Sequence, residues 1–131
     1  MNSIGTFSNS EQERRAMSFK AVSREVGEVS VIDMEGRITL GEGSGLLRDL
    51  IGEKLAAGRK KIVMNLAGIN YIDSTGLGEL VAGYRQVKSQ GGELKLLNLN
   101  KKVSDLLQIT KLYAVFDIHN DEARAVASFH T

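Results

Sequence analysis

Residues 61–81 read KIVMNLAGINYIDSTGLGELV, and the fold turns on how this stretch divides. Its opening, Lys61 to Gly68, is a short apolar run flanked by polar residues, as in a strand covered on both faces. The strand is expected to end near Ile72. A helix should begin within Ser74 to Leu77, because Leu77, Leu80, Val81, Tyr84 and Val87 recur at three- and four-residue spacing until Gly91-Gly92 stops them. Asp73, Ser74 and Thr75 then sit at a strand-to-helix turn that projects side chains outward. Asp73 or Ser74 suits an N-cap, whose oxygen accepts from a free first-turn amide. Gly76 and Gly78 strip side chains from that turn, at roughly 1 kcal/mol each against Ala in a helix interior, and so let another backbone approach closely.

The same reading extends in both directions. FKAVSREVGEVSVIDMEGRITL (19–40) is rich in β-branched residues with Gly27 and Gly36 as punctuation, which gives strands near 19–25 and 28–34 and a short one around 37–39. Leu46, Leu47, Leu50, Ile51 and Leu55 mark an amphipathic helix over about 45–57, stopped at Gly58. Beyond the central stretch, ELKLLNL (93–99) reads as a strand and VSDLLQITKLYAVF (103–116) as one helix or a broken pair. FDIHN (116–120) is a short strand, and DEARAVASF (121–129) a closing helix opened by two acids at its positive end. This alternation specifies a single α/β domain. Its mixed sheet should have four to five strands, parallel in the centre with antiparallel opening strands, packed with about four helices. Residues 1–16 are polar and aperiodic, expected as a flexible tail to a domain over 17–131, with Met17 a second plausible start.

Composition narrows the chemistry. The 131 residues include no Cys, which removes disulfide frameworks, thiolate metal sites and Cys nucleophiles. Two histidines, His119 and His130, are too few for a multi-histidine metal cage. Seventeen basic residues against sixteen acidic, interspersed along the chain, lack the concentrated charge that nucleic acid requires. No apolar run approaches ~18 residues and the first ten residues are not a signal segment, so a cytoplasmic protein without a membrane partner is expected.

Asp73-Ser74-Thr75-Gly76-Leu77-Gly78, placed after an apolar strand in this element order, resembles the core motif of the STAS domains of bacterial anti-sigma factor antagonists, and the likeness covers about residues 19–129. The resemblance implies that the serine after the aspartate, here Ser74, is phosphorylated by an anti-sigma factor that is itself a serine kinase. Unphosphorylated protein would bind that kinase and free a sigma factor. Phosphorylated protein would not, until a metal-dependent serine phosphatase resets it. The partner-binding residues on this reading are Asp73, Ser74, Thr75, Gly76, Leu77 and Gly78, with no catalytic residue, cofactor or metal, and with a weak homo-oligomer left open. The segment from Gly36 to Gly45 departs from the family pattern, and its glycine-rich loop 41–45 is expected to border the partner surface. It contains neither a phosphate loop nor a G-x-G-x-x-G pattern.

The charge argument stands beside the resemblance. A phosphate on Ser74 adds about −1.5 to −2 charges where the helix start tolerates an anion. A partner carboxylate about 4 Å away would meet roughly 4 kcal/mol of repulsion at an effective dielectric near 20, before salt screening. Two other readings compete: a STAS scaffold or accessory subunit of a stress-signalling assembly or lipid transporter, and a serine hydrolase. The hydrolase lacks a nearby histidine and the G-x-S-x-G elbow. His119, beside Asp117 and Asp121, is read as a solvated strand end rather than a metal ligand, Lys101-Lys102 as solvated surface, and Tyr84 and Tyr113 as core or half-buried.

Overall fold

The β-branched opening and the apolar central run build one sheet, and its geometry places the turn at Asp73 on the sheet's carboxyl edge. The computed structural model of the chain describes residues 19–39 and 42–129, with residues 42–44 described in backbone only. The expected tail 1–16, Gly41 of the glycine-rich loop and His130 lie outside the described residues. Strand β1 (Phe19–Val26) turns through Gly27, whose φ of +62° suits glycine, into β2 (Val29–Ile38). Helix α1 (Glu42–Ala56), β3 (Lys61–Ile72), α2 (Ser74–Ser89), β4 (Glu93–Leu97) and α3 (Lys101–Ile109) follow. A 3₁₀ turn (Leu112–Ala114), β5 (Asp117–His119) and α4 (Glu122–Ala127) close the chain.

The five strands lie in chain order, β1 antiparallel to β2 and the other three pairs parallel. The mixed sheet with a parallel centre and four helices is therefore as expected. Helices α1, α2 and α3 each cross between neighbouring parallel strands and cover one face. There Ile32, Ile62, Met64, Leu66 and Leu96 meet Leu47, Ile51, Leu80 and Leu107 with almost no exposure. The other face is served by α4, whose Ala125, together with Phe129 just beyond it, packs on Val29, Val31, Val63 and Leu97. Arg24 fastens α4 to the sheet: its Nε donates to Asp33 at 2.6 Å and its terminal nitrogens to the Glu122 carboxylate at 2.6 and 2.8 Å. These charge-assisted bonds hold both carboxyls below their ordinary range, Glu122 through Arg24 and Asp33 through Arg24 and then Asn65.

Several boundaries differ from the sequence reading. The expected break at Glu35-Gly36 is not a strand end. β2 is continuous to Ile38, with register shifts against β3 between Asp33 and Glu35 and between Gly36 and Arg37, where Gly36 takes a φ of +103°. β3, by contrast, ends at Ile72 as expected, with β2 paired to it through to Ile38↔Ile72. Helix α1 begins at Glu42, so residues 42–45 of the expected loop are its first turn. The 103–116 segment is a broken pair: it begins earlier, at Lys101 behind an Asn100 cap, and Lys111 at φ +63° separates α3 from the 3₁₀ turn. Tyr84 is half-buried and meets Phe116 edge-on, with ring centroids 5.4 Å apart, whereas Tyr113 stands exposed rather than in the core.

Candidate functional site

The turn between β3 and α2 is organised by Asp73. Its extended backbone (φ −106°, ψ −175°) places the side chain over the helix start, where Oδ1 accepts from the Gly76 amide at 2.8 Å. Its carbonyl accepts from the Leu77 amide at 2.8 Å, and its own amide donates to the Ile38 carbonyl at 3.4 Å. Asp73 is thus the N-cap, and it also ties the turn to the end of β2. Ser74 is the first helical residue and is exposed. The amides of Ser74 and Thr75 lie in the first helical turn, where no intrahelical acceptor exists, so the local field favours an anion.

The motif residues divide by burial. Ser74 and Gly78 are exposed, Asp73 and Thr75 half-buried, and Gly76 and Leu77 buried. Leu77 belongs to the core rather than to a surface. The two glycines have different jobs. At Gly78 an added Cβ would meet nothing within 4 Å, so this helix face is open to an incoming molecule. At Gly76 a Cβ would lie 2.7 Å from the Ile38 carbonyl carbon and 2.9 Å from Ile38 Cγ2, and closer still to the carbonyl oxygen. The close approach that Gly76 permits is therefore to the chain's own β2. A larger residue there must disturb the fold, so the backbone that Gly76 lets approach is the chain's own rather than a partner's.

Neighbouring groups that spacing did not reveal complete the edge. Arg37 and Tyr71 are register partners, with the guanidinium 4.8 Å from the ring centroid, and both are exposed one residue short of the Ile38–Ile72 pair. On the helix side, Arg48 of α1 donates to both carboxylate oxygens of Glu79 at 3.0 Å, linking α1 to the second turn of α2. Only the parallel register brings Arg37 to Tyr71, and a linear sequence carries no signal for it. The i, i+3 and i+4 patterns of α1 and α2 marked both helices, yet not which residues face each other across them.

Elsewhere, His119 is half-buried rather than solvated, with Nε2 3.2 Å from Asp117 Oδ2. Asp117 also accepts from Lys95 Nζ at 2.5 Å, and Lys95 first, then His119, holds this carboxyl below its ordinary value. Among the described residues no group of three or more His, Asp or Glu side chains is arranged to hold a metal ion, and no helix is long and apolar enough to cross a membrane. Lys101 and Lys102 are exposed, Lys101 pairing with Asp105 at 2.9 Å.

Comparison with known proteins places this geometry. Residues 20–125 match the STAS domain family. The chain is 47% identical over 53 residues to an anti-sigma-B factor antagonist of Bacillus subtilis, an alignment covering 40% of this chain and 49% of that protein. The chain thus spans about half the length of the curated relatives it matches. Among solved structures, a putative anti-sigma factor antagonist from Thermotoga maritima is 26% identical with a TM-score of 0.71, over 82% of this chain and 92% of that one. The Bacillus cell fate determinant SpoIIAA in its phosphorylated form superposes with a TM-score of 0.65 over 82% of this chain and 96% of its own; at 21% identity this likeness speaks for the fold alone. A match across most of the described residues, carried by a sheet in chain order with an aspartate-capped helix at its carboxyl edge, means that the chain belongs to the STAS domain family.

Proposed function

We propose that this chain is an anti-sigma factor antagonist, a binding module that in its unphosphorylated form engages an anti-sigma factor serine kinase and so releases a sigma factor. Phosphorylation of Ser74 switches the contact off, and a metal-dependent serine phosphatase restores it. The observation that carries the reading is an exposed serine at the first position of a helix whose cap, Asp73, already satisfies the Gly76 amide. Beside it Gly78 leaves the helix face open. The names of the relatives support the same reading.

The physics of the switch follows from the position. Ser74 is exposed, so a kinase can reach its hydroxyl without unfolding the turn. The product phosphate gains from the helix end about 0.3–1 kcal/mol. It loses a comparable amount through like charge with the neighbouring Asp73 carboxylate, so folding stays near neutral. A docked partner excludes water from the same spot, and there the dianion meets either a like charge or a desolvation penalty of several kcal/mol. Binding changes while the fold does not.

The test uses the full chain, ATP and each serine kinase of the anti-sigma class encoded in the same genome. Intact mass should rise by one phosphate and peptide mapping should place it on Ser74. Ser74→Ala should remain unmodified while still binding the kinase. Transfer to Thr75 with Ser74 untouched, or no complex with any such kinase, would overturn the proposal and leave the scaffold reading.

A further inference from the structure

β5 is the last strand of the sheet, and its outer edge has no partner strand among the described residues. The His119 carbonyl accepts from the Asn98 amide at 2.9 Å on the β4 side. Successive residues of a strand present their backbone groups to alternate edges, so the N–H and C=O of Ile118 face outward. Open edges of this kind pair readily with another chain.

Exposed apolar side chains gather in the stretch of chain that leads into this edge. Among the described residues seven large hydrophobic side chains are exposed, and four of them, Ile109, Tyr113, Val115 and Ile118, fall within the ten residues of chain that end at Ile118. Ile109 is 79% exposed and Tyr113 55%. Beside Tyr113 and Ile118 an open groove of about 520 Å³ has a mixed lining, apolar at Leu99 and Leu107 and polar at Gln108, Asn120, Asp121 and Arg124. The opposite edge strand, β1, carries Lys20, Arg24 and Glu25, charges that discourage strand addition.

We propose that the β5 edge is where two copies of this chain associate, antiparallel about a two-fold axis through Ile118. In that register the two Ile118 residues exchange both backbone hydrogen bonds, and each Asp117 lies across from His119 of the other copy. A carboxylate acceptor thus faces an imidazole in both flanking pairs, at the short cross-strand spacing of non-hydrogen-bonded positions. A register centred on Asp117 would instead oppose two carboxylates. The charge pattern therefore selects one self-complementary arrangement, as a closed two-fold contact requires. Two backbone bonds and a small apolar cluster make this a weak, concentration-dependent contact.

Sedimentation velocity of the full chain, over about 10 μM to 1 mM, the span in which weak contacts change occupancy, should move from monomer to dimer. Ile118→Lys, which sets two like charges on the axis, should remain monomeric throughout with an unchanged melting profile. Val22→Lys, at the exposed valine of β1, should dimerise like the parent. If Ile118→Lys fails to fold, hydrogen exchange on the parent decides: the Ile118 amide should slow at least about tenfold from low to high concentration. A parent that stays monomeric, an Ile118→Lys protein that still dimerises, loss of the dimer in Val22→Lys, or an Ile118 amide indifferent to concentration would each overturn the proposal.

Discussion

Replacing Gly76 by Ala asks for one methyl group where the structure has no room. The new carbon would sit 2.7 Å from the Ile38 carbonyl carbon and 2.9 Å from Ile38 Cγ2, against ordinary contacts of about 3.5 Å or more. Neither obstacle is a flexible chain end. The first is backbone in the last residue of β2, and the second is a fully buried side chain. Helix α2 must therefore retreat from β2 by the better part of an ångström. That movement strains the Asp73–Gly76 cap and the bond from the Asp73 amide to Ile38. Overpacking of this kind costs about 1–3 kcal/mol and a lost cap about 1 kcal/mol. The helix gains at most about 1 kcal/mol from exchanging Gly for Ala. The balance is a destabilisation of about 2 kcal/mol, or roughly 8 °C in melting temperature for a domain of this size. Thermal unfolding followed by circular dichroism reads it directly. A Gly76→Ala protein that melts within about 2 °C of the parent would mean that the β2–α2 approach tolerates a side chain after all.

Gly78→Ala, two residues further on, should show the opposite sign: with nothing within 4 Å it should hold or raise stability by up to about 1 kcal/mol, yet weaken binding of the kinase partner in a titration. Undiminished binding would place the interface elsewhere. Ser74→Asp should melt within a few degrees of the parent and bind that partner at least about tenfold more weakly, by calorimetry; a large stability loss would assign Ser74 a structural role instead. The Asp33 and Glu122 carboxyls are held low by Arg24, so their contribution is full above the unfolded carboxylate range and is lost as pH falls through their lowered folded values. Arg24→Met should accordingly flatten the loss of stability between about pH 5 and pH 2, while at pH 7 costing only about 1 kcal/mol or less, since all three groups are substantially solvated. An acid slope equal to the parent's in denaturant titrations would count against the Arg24 bridge.

The order of elements was legible because apolar periodicity survives in each helix and strand, and Asp73 was legible as a cap because its chemistry is local. What the sequence hid depended on neighbours distant along the chain. Glu35-Gly36 looks like a break, yet it pairs with Gly68-Ile69, and the bulged register carries β2 through to Ile38. Gly43 and Gly45 argue for a loop by propensity, but residues 42–45 are continuous with a helix anchored by Leu47 and Ile51, and that packing outweighs the local preference. Gly76 was recognised as a point of close approach, although only the fold reveals that the approaching backbone is Ile38. Arg37 beside Tyr71 and Glu79 beside Arg48 were out of reach for the same reason.

β3 is bordered unequally along its length. From Lys61 to Asn65 it has a strand on either side, but from Leu66 onward β4 has ended and a side chain takes over: the Asn100 amide donates to the Ile69 carbonyl. The half of the strand that leads to Ser74 is thus clamped by β2 along one border and by a single residue along the other, and that residue is also the cap of α3 through its bond to Val103. One side chain therefore couples the strand end that leads to Ser74 to the start of α3, so a substitution at Asn100 would loosen both at once.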